Sequence, residues 1–179
     1  MFIFATIITL VILQRIVELQ IAKRNEQRMI RLGAYEVGAS HYPFMIAMHI
    51  SFFISLILEV VFFERTLSPL FSYLLVFFLL VQALRIWCLR SLGIFWNTKI
   101  IVLPGARVVK KGPYHYLRHP NYLVVCCEIF LLPVMFQAYA TALLFTVLNT
   151  IMLFVRIPLE EKALLEAYEQ TEFNEITEK

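Results

Sequence analysis

The chain has 179 residues, of which 60% are hydrophobic and only 16% charged, and its mean hydropathy is +0.75. That composition excludes an ordinary soluble domain of this length and predicts a single integral-membrane domain. A formal charge of +3, spread over 16 Lys and Arg against 13 acidic residues that are all Glu, is too small and dispersed to build a nucleic-acid surface.

A membrane-spanning helix needs about 20 mostly apolar residues, and the sequence offers five such segments, at about 2–22, 43–63, 68–88, 121–137 and 138–156. The expected fold is therefore all-α and polytopic. The apolar run from Met1 to Leu13 has no basic leader or small-residue cleavage site, and Arg15 and Glu18 enter its periodic pattern, so it reads as a retained first helix. Arg15 and Glu18 stand three residues apart on one face, where they either pair or meet substrate.

Next comes "RNEQRMIRLGAYEVGASHYP", in which Gly33 and Gly38 break helical continuity and fold the chain back. This brings Glu36, His41 and Tyr42 toward the mouth of the bundle, as a substrate gate or as a connector with an interfacial anchor. His49 on the second helix and Glu128 on the fourth lie at membrane depth, as interhelical hydrogen-bond partners or as catalysts. Trp96, Asn97 and Thr98 belong to an active-site floor or to a lipid anchor. Cys88, Cys126 and Cys127 sit in apolar runs without metal-binding or redox spacing and read as helix-surface fillers, so no metal site is expected. Gln137 to Tyr139 leaves almost no loop between the last two segments. They should form a tight hairpin with Pro133 kinking its first arm. The acidic end, 167–179, reads as a solvated, partly disordered tail.

Lys and Arg mark the cytoplasmic side of a membrane protein. The first connection carries Lys23, Arg24, Arg28 and Arg31, the third carries Arg90, Lys99, Arg107, Lys110, Lys111 and Arg118, and the opposite side receives only Arg65. The N-terminus is thus expected outside and the C-terminus, with Arg156, Lys162 and Lys179, in the cytoplasm.

Against this apolar background stands "KGPYHYLRHPNYL", Lys111 to Leu123. Pro120 suits the first position of a helix and drives His119 into an extended conformation, which makes His119 the N-cap. The unpaired N–H groups and positive dipole end there suit a carboxylate, and Arg118 reinforces them. Gly112 and Pro113 make a turn that permits close backbone approach to a ligand, while Tyr114, Tyr116 and Tyr122 supply rings with hydroxyl tips. An interfacial belt of aromatic and basic residues is the competing reading. A belt, however, does not require a Gly-Pro turn followed by Arg-His-Pro.

The segment "GPYHYLRHPNYL", followed after a helical hairpin by "RIPLEEKAL", resembles the membrane methyltransferase family that includes isoprenylcysteine carboxyl methyltransferases and related phospholipid methyltransferases. The specific part is R-H-P-x-Y with a paired Glu about forty residues downstream, and "LGIFWNTKIIVLPGARVVKKGPY" fits as well, so the resemblance covers about 91–166. The first ninety residues are more similar to a small bacterial branch, through "RNEQRMIRLGAYEVGASHYPFMIAMH", associated with methylation of lipid-like products such as alkylpyrones. The resemblance implies S-adenosylmethionine as cofactor, bound without a Rossmann sheet. By position it implies that Pro113, Tyr114, Arg118, His119, Pro120 and Tyr122 line the cofactor site and that Glu160 and Glu161 close it. The bland reading of the two glutamates is that Pro158 starts a new helix and acids favour its first turn, with Arg156 pairing to Glu160. Adjacent helical positions point about 100° apart, so one of the two is expected to reach the cofactor. The chain would divide into helices 1 to 3 on the substrate side (1–90), a cofactor part (91–166) and the tail.

A carboxylate or acidic enol is already anionic near neutral pH and needs desolvation, aim and nearby cations, whereas an amine needs a base as well. Cations are plentiful, with Arg24, Arg28, Arg31, Arg85 and Arg90, and candidate bases are few. The expected activity is methylation of an acidic oxygen on a lipophilic substrate at the cytoplasmic face of a bacterial cell membrane, with Arg118, His119, Glu36 and His41 as the catalytic candidates. The alternatives are a phospholipid amine N-methyltransferase and a non-enzymatic transporter or scaffold.

Overall fold

The computed structural model describes residues 1–106 and 108–177, and side chains as far as Tyr168. Arg107 and Lys179, two of the charges used to orient the chain, and the side chains of the acidic run from Glu169 lie outside the described residues. The fold is all-α apart from two short strands: α1 (Phe2–Arg31), β1 (Tyr35–Val37), α2 (Tyr42–Phe62), α3 (Phe71–Leu92), β2 (Ile100–Val102), α4 (Pro120–Met135) and α5 (Tyr139–Thr177), with single 3-10 turns at Ala39–His41, Gly93–Phe95 and Gly112–His115. Four helical segments are long and apolar enough to cross a membrane, and α4, with 16 residues, falls short of the length expected for a fifth. The chain is a multi-pass membrane protein.

The segments form two compact units that interleave along the sequence. One comprises Pro43–Ser91 and Lys111–Phe154, together with Met1; the other comprises Phe2–Tyr42, Leu92–Lys110 and the chain from Val155.

In the first unit, α4 ends in a turn that explains how so short a connection reverses the chain. Gln137 adopts φ 57°, the Ala138 N–H reaches back to the Pro133 carbonyl at 3.0 Å and the Gln137 N–H to that of Val134 at 3.2 Å. This is the Schellman closure, which satisfies carbonyls that a helix end leaves bare. Gln137 lacks glycine's freedom at positive φ, and its side-chain amide holds the turn by donating to the Leu67 carbonyl at 3.0 Å. The opening turn of α5 is capped from α2: the buried Glu59 carboxylate accepts the Thr141 N–H at 2.8 Å and the Ala140 N–H at 3.3 Å, and Arg65 pairs with it at 3.3 Å. Deeper in the same unit, the Glu128 carboxylate of α4 takes Arg85 and Gln82 of α3, each at 2.8 Å. These contacts discharge the polar groups that an apolar surround would otherwise penalise.

In the second unit, α1 buries Phe4, Ile8, Val11, Glu18, Ala22 and Met29, a spacing of three and four that keeps one face of the helix inward. The polar members of that face are matched: Arg15 and Gln14 both reach Glu18, at 2.7 and 3.0 Å, so the pairing reading of Arg15 and Glu18 is the observed one. The helix closes on Gly33, φ 93°, with the Ala34 N–H on the Met29 carbonyl. The first connection is accordingly shorter than the sequence predicts, because 23–31 stays helical. β1 then pairs antiparallel with β2, Glu36 opposite Ile101. Ile100 and Val102 pack with Ala163 and Ala167 of α5, flanked by Val37 and Leu159.

Two expectations are corrected here. Pro158 does not start a new helix: α5 runs through it to Thr177, and the first part of the acidic tail continues as helix. The sheet was not expected either, since three-residue strands are too short to show alternation.

Candidate functional site

The segment singled out by its polar crowding opens α4 of the first unit. Gly112–His115 forms a turn of 3-10 helix with Pro113 buried, and α4 begins at Pro120 with His119 as N-cap, as Pro geometry predicts. No side chain caps this start. Pro120 has no N–H to offer, and the Tyr122 N–H turns to the His119 carbonyl at 3.1 Å. The His119 ring stacks on Tyr122, with centroids 5.2 Å apart and planes inclined by 21°. Beside them the Asn121 Oδ1 is sealed from solvent with no hydrogen-bond partner among the described residues. The Leu123 N–H also turns to the His119 carbonyl, at 3.4 Å, so what this start offers an amino-acid head group is the positive end of the helix dipole for its carboxylate and the bare amide oxygen for its ammonium. Arg118 is exposed.

The Gly112 turn has a different cause from the expected one. Its φ is 59°, and a Cβ there would overlap the Ser91 hydroxyl and the Trp87 indole nitrogen, so the close approach that requires glycine is to α3.

The second unit holds the other sequence-predicted residues: Glu36, His41, Glu160 and Glu161. Glu36 lies on β1 and pairs with Lys99 at 3.0 Å, while Lys99 also pairs with Glu26 near the end of α1 at 2.9 Å. Hydrogen bonds to Glu26 and Glu36 hold the Lys99 ammonium above its usual pKa. Its head also lies 5.6 Å from the centre of the Tyr42 ring. His41 closes the turn after Gly38, whose φ is 66° and whose Cα is crossed by the imidazole, so that a Cβ at Gly38 would collide with it. Glu160 and Glu161 stand within α5 just after Pro158.

Around them, residues 96–99 tie the unit together. Asn25 of α1 donates to the carbonyls of Trp96 (2.8 Å) and Gly93 (3.0 Å), Asn97 donates to the Met29 sulfur (3.2 Å), and Thr98 shares a hydrogen bond with the Tyr42 hydroxyl (2.9 Å). Arg156 of α5, itself buried, donates to the Thr98 carbonyl. Sequence reasoning placed Trp96, Asn97 and Thr98 as floor or anchor, used Lys99 only as an orienting charge and gave no role to Asn25. A run of Trp-Asn-Thr-Lys between apolar segments was the available signal.

Of the membrane-depth candidates, Glu128 is engaged by Arg85 and Gln82, so Arg85 is not a spare cation, and the His49 ring bonds the Met45 carbonyl of its own helix at 2.8 Å.

These features, a multi-pass helical chain carrying the Arg-His-Pro-Asn-Tyr helix start, are those the resemblance to membrane methyltransferases leads one to expect. The chain matches the Isoprenylcysteine carboxyl methyltransferase (ICMT) family over residues 73–166, and it belongs to that family. Membership implies a membrane methyltransferase, in a family that uses S-adenosylmethionine as methyl donor. The chain is 48% identical over 163 residues to the uncharacterized protein YpbQ of Bacillus subtilis (strain 168), covering 91% of this chain and 97% of that one. It is 27% identical over 151 residues to an uncharacterized protein of Haemophilus influenzae, covering 84% of this chain and 88% of that one. No solved structure matches it.

Proposed function

We propose that the protein is an S-adenosylmethionine-dependent O-methyltransferase that acts on an acidic oxygen, a carboxylate or enol, of a lipophilic substrate at the cytoplasmic face of a bacterial cell membrane. The observation that carries this reading is the start of α4, where His119 as N-cap, the stacked Tyr122 and the bare Asn121 Oδ1 make a place for a zwitterionic amino-acid head. Pro113, Tyr114, Arg118, His119, Pro120 and Tyr122 bind the cofactor, and one of Glu160 and Glu161 takes its positive charge. Bound there, the cofactor supplies a methyl group on a sulfonium, open to in-line attack. The protein's work is to desolvate the acceptor oxygen, aim it and hold its charge, with Arg118 and His119 beside the transferred group and Glu36 and His41 on the acceptor side. Glu18, Glu26 and Glu36 of the second unit already hold cations, which leaves few carboxylates to serve as a base for an amine and supports oxygen over nitrogen.

The test is binding of S-adenosylhomocysteine to the purified protein in detergent, followed by transfer of labelled methyl from S-adenosylmethionine into a bacterial lipid extract. Label in methyl esters or enol ethers is the expected result. Label only in amine head groups overturns the oxygen assignment, and absence of cofactor binding overturns the enzyme reading in favour of a transporter or scaffold.

A further inference from the structure

The last turns of α1 carry the helix past its apolar part to Arg31, and their two sides are used differently. One side is spent inside the second unit: Asn25 donates to the carbonyls of Trp96 and Gly93, Glu26 takes Lys99, and the Met29 sulfur accepts from Asn97. These contacts fix the way the helix faces. The other side presents Arg24, Arg28 and Arg31, whose spacing of four and three places them within about 60° of arc. All three are exposed, and none makes an ion pair or a side-chain hydrogen bond among the described residues. The acids of α1 itself are committed elsewhere, Glu18 to Arg15 and Glu26 to Lys99, so nothing on the helix offsets these like charges. Toward the N-terminus the same arc continues through Leu10, Leu13 and Val17, which are 61%, 52% and 54% exposed. From Leu13 to Arg28 the helix rises about 22 Å, the depth of one leaflet with its head groups.

We infer that this face of α1 is a binding site for an anionic phospholipid, whose acyl chains lie along Leu10, Leu13 and Val17 and whose phosphate is held by Arg24, Arg28 and Arg31. The two ends of the face select the occupant together. A line of side chains that is apolar at tail depth and cationic at head depth matches an amphiphile with a negative head, whereas a soluble anion or an acidic protein has no use for the apolar reach. Arginine suits the phosphate in particular, because its planar fork of N–H donors meets two oxygens at once. A zwitterionic head brings an ammonium that opposes the three guanidinium groups, so charge selects against it. Because the opposite side of the same turns holds residues 93–99, a lipid seated here also braces the helix that frames the second unit. The inference stands on this face alone and is independent of the methyltransferase reading.

The test titrates the delipidated full chain, in a neutral detergent, with dioleoylphosphatidylglycerol and dioleoylphosphatidylcholine, which share their chains and differ in net head charge, and counts bound lipid by native mass spectrometry. The glycerol lipid is expected to bind about tenfold or more tightly than the choline lipid. The variant Arg24→Gln, Arg28→Gln, Arg31→Gln should bring the two affinities together while its lipid-free unfolding midpoint matches wild type, since these side chains hold no partner in the fold. Arg90→Gln, Lys110→Gln, Lys111→Gln removes as many positive charges elsewhere and should leave phosphatidylglycerol affinity within about twofold of wild type. The three single arginine variants carry the same test one charge at a time, each expected to weaken phosphatidylglycerol about fivefold. Equal binding of the two lipids by wild type, an equal loss in both triple variants, or no effect in any single variant overturns the inference and leaves these arginines as solvated charge. Displacement of phosphatidylglycerol by sn-glycerol 3-phosphate at comparable concentration overturns it in favour of a soluble anion.

Discussion

The two units treat buried polarity in opposite ways. In the unit of Pro43–Ser91 and Lys111–Phe154, buried charges are consumed by structure: Glu59 caps α5 and Glu128 receives Arg85 and Gln82. Among the described residues, the buried atoms here without a hydrogen-bond partner include Arg65 Nε, Asn121 Oδ1 and Thr146 Oγ1, on separate elements. In the unit of Phe2–Tyr42, Leu92–Lys110 and the end of α5, the bare atoms are His41 Nδ1, Trp96 Nε1 and Asn97 Oδ1, on two segments that the Tyr42–Thr98 hydrogen bond helps to join and that Asn25, Lys99 and Arg156 hold. A satisfied buried network rigidifies, and a bare buried group carries its desolvation cost uncompensated. Buried polarity thus divides between groups whose partners the fold supplies and groups left bare among the described residues.

The contrast can be broken most forcefully at its scaffold end. Glu128→Ala leaves the buried Arg85 without its carboxylate and should lower unfolding stability in detergent by about 3 kcal/mol, with the double variant Arg85→Met, Glu128→Leu recovering much of the loss. Equal losses in single and double variants would show that the pair contributes through packing alone. Next in size, His119→Ala should weaken S-adenosylhomocysteine binding by about thirtyfold or more, about 2 kcal/mol, with unchanged unfolding stability. Retained affinity with lost turnover would move His119 to the acceptor side.

The site end is sharpened by smaller effects. Glu36→Ala and His41→Ala should each reduce methyl transfer about tenfold with cofactor affinity within about twofold, because they disturb acceptor binding only. Lys99→Met should reproduce the Glu36→Ala phenotype, since Lys99 links Glu36 to Glu26. Normal turnover in all three would make the segment a connector. The smallest expected effect is that of pH on this bridge. The folded pKa of Lys99 is raised, so its contribution to stability is fully present below the unfolded value of about 10.4 and is lost only as pH rises beyond it. Unfolding midpoints of wild type and Lys99→Met should therefore run parallel between about pH 6 and 9 and converge only in strong alkali.

Much of this was legible in the order of residues. Apolar runs long enough to span a bilayer located the helices, because a helix must bury or expose its side chains with its own period. Pro120 located the start of α4 and made His119 its N-cap, since proline fixes φ and restricts the residue before it. Gln137 to Tyr139 announced the hairpin by leaving no room for anything longer, although the residue that makes the turn possible, a glutamine at φ 57°, carries no sign of it.

What tertiary structure alone decided is who meets whom. Glu128 was as open to catalysis as to pairing until the fold set it against Arg85, 43 positions away. Glu36 read as part of a substrate gate or of a connector, and only the antiparallel pairing of β1 with β2 brought it to Lys99, 63 positions on. Pro158 looked like a helix start and is carried within α5, because propensity is a local preference and packing against β2 is a collective one. Tyr42 and Thr98, 56 positions apart, gave no hint of the hydrogen bond they share. Sequence fixes the period of each element and the donors and acceptors each residue can offer; which of those are already spent is settled only when distant segments fold together, since a hydrogen bond forms within about 3 Å and chain order carries no distance.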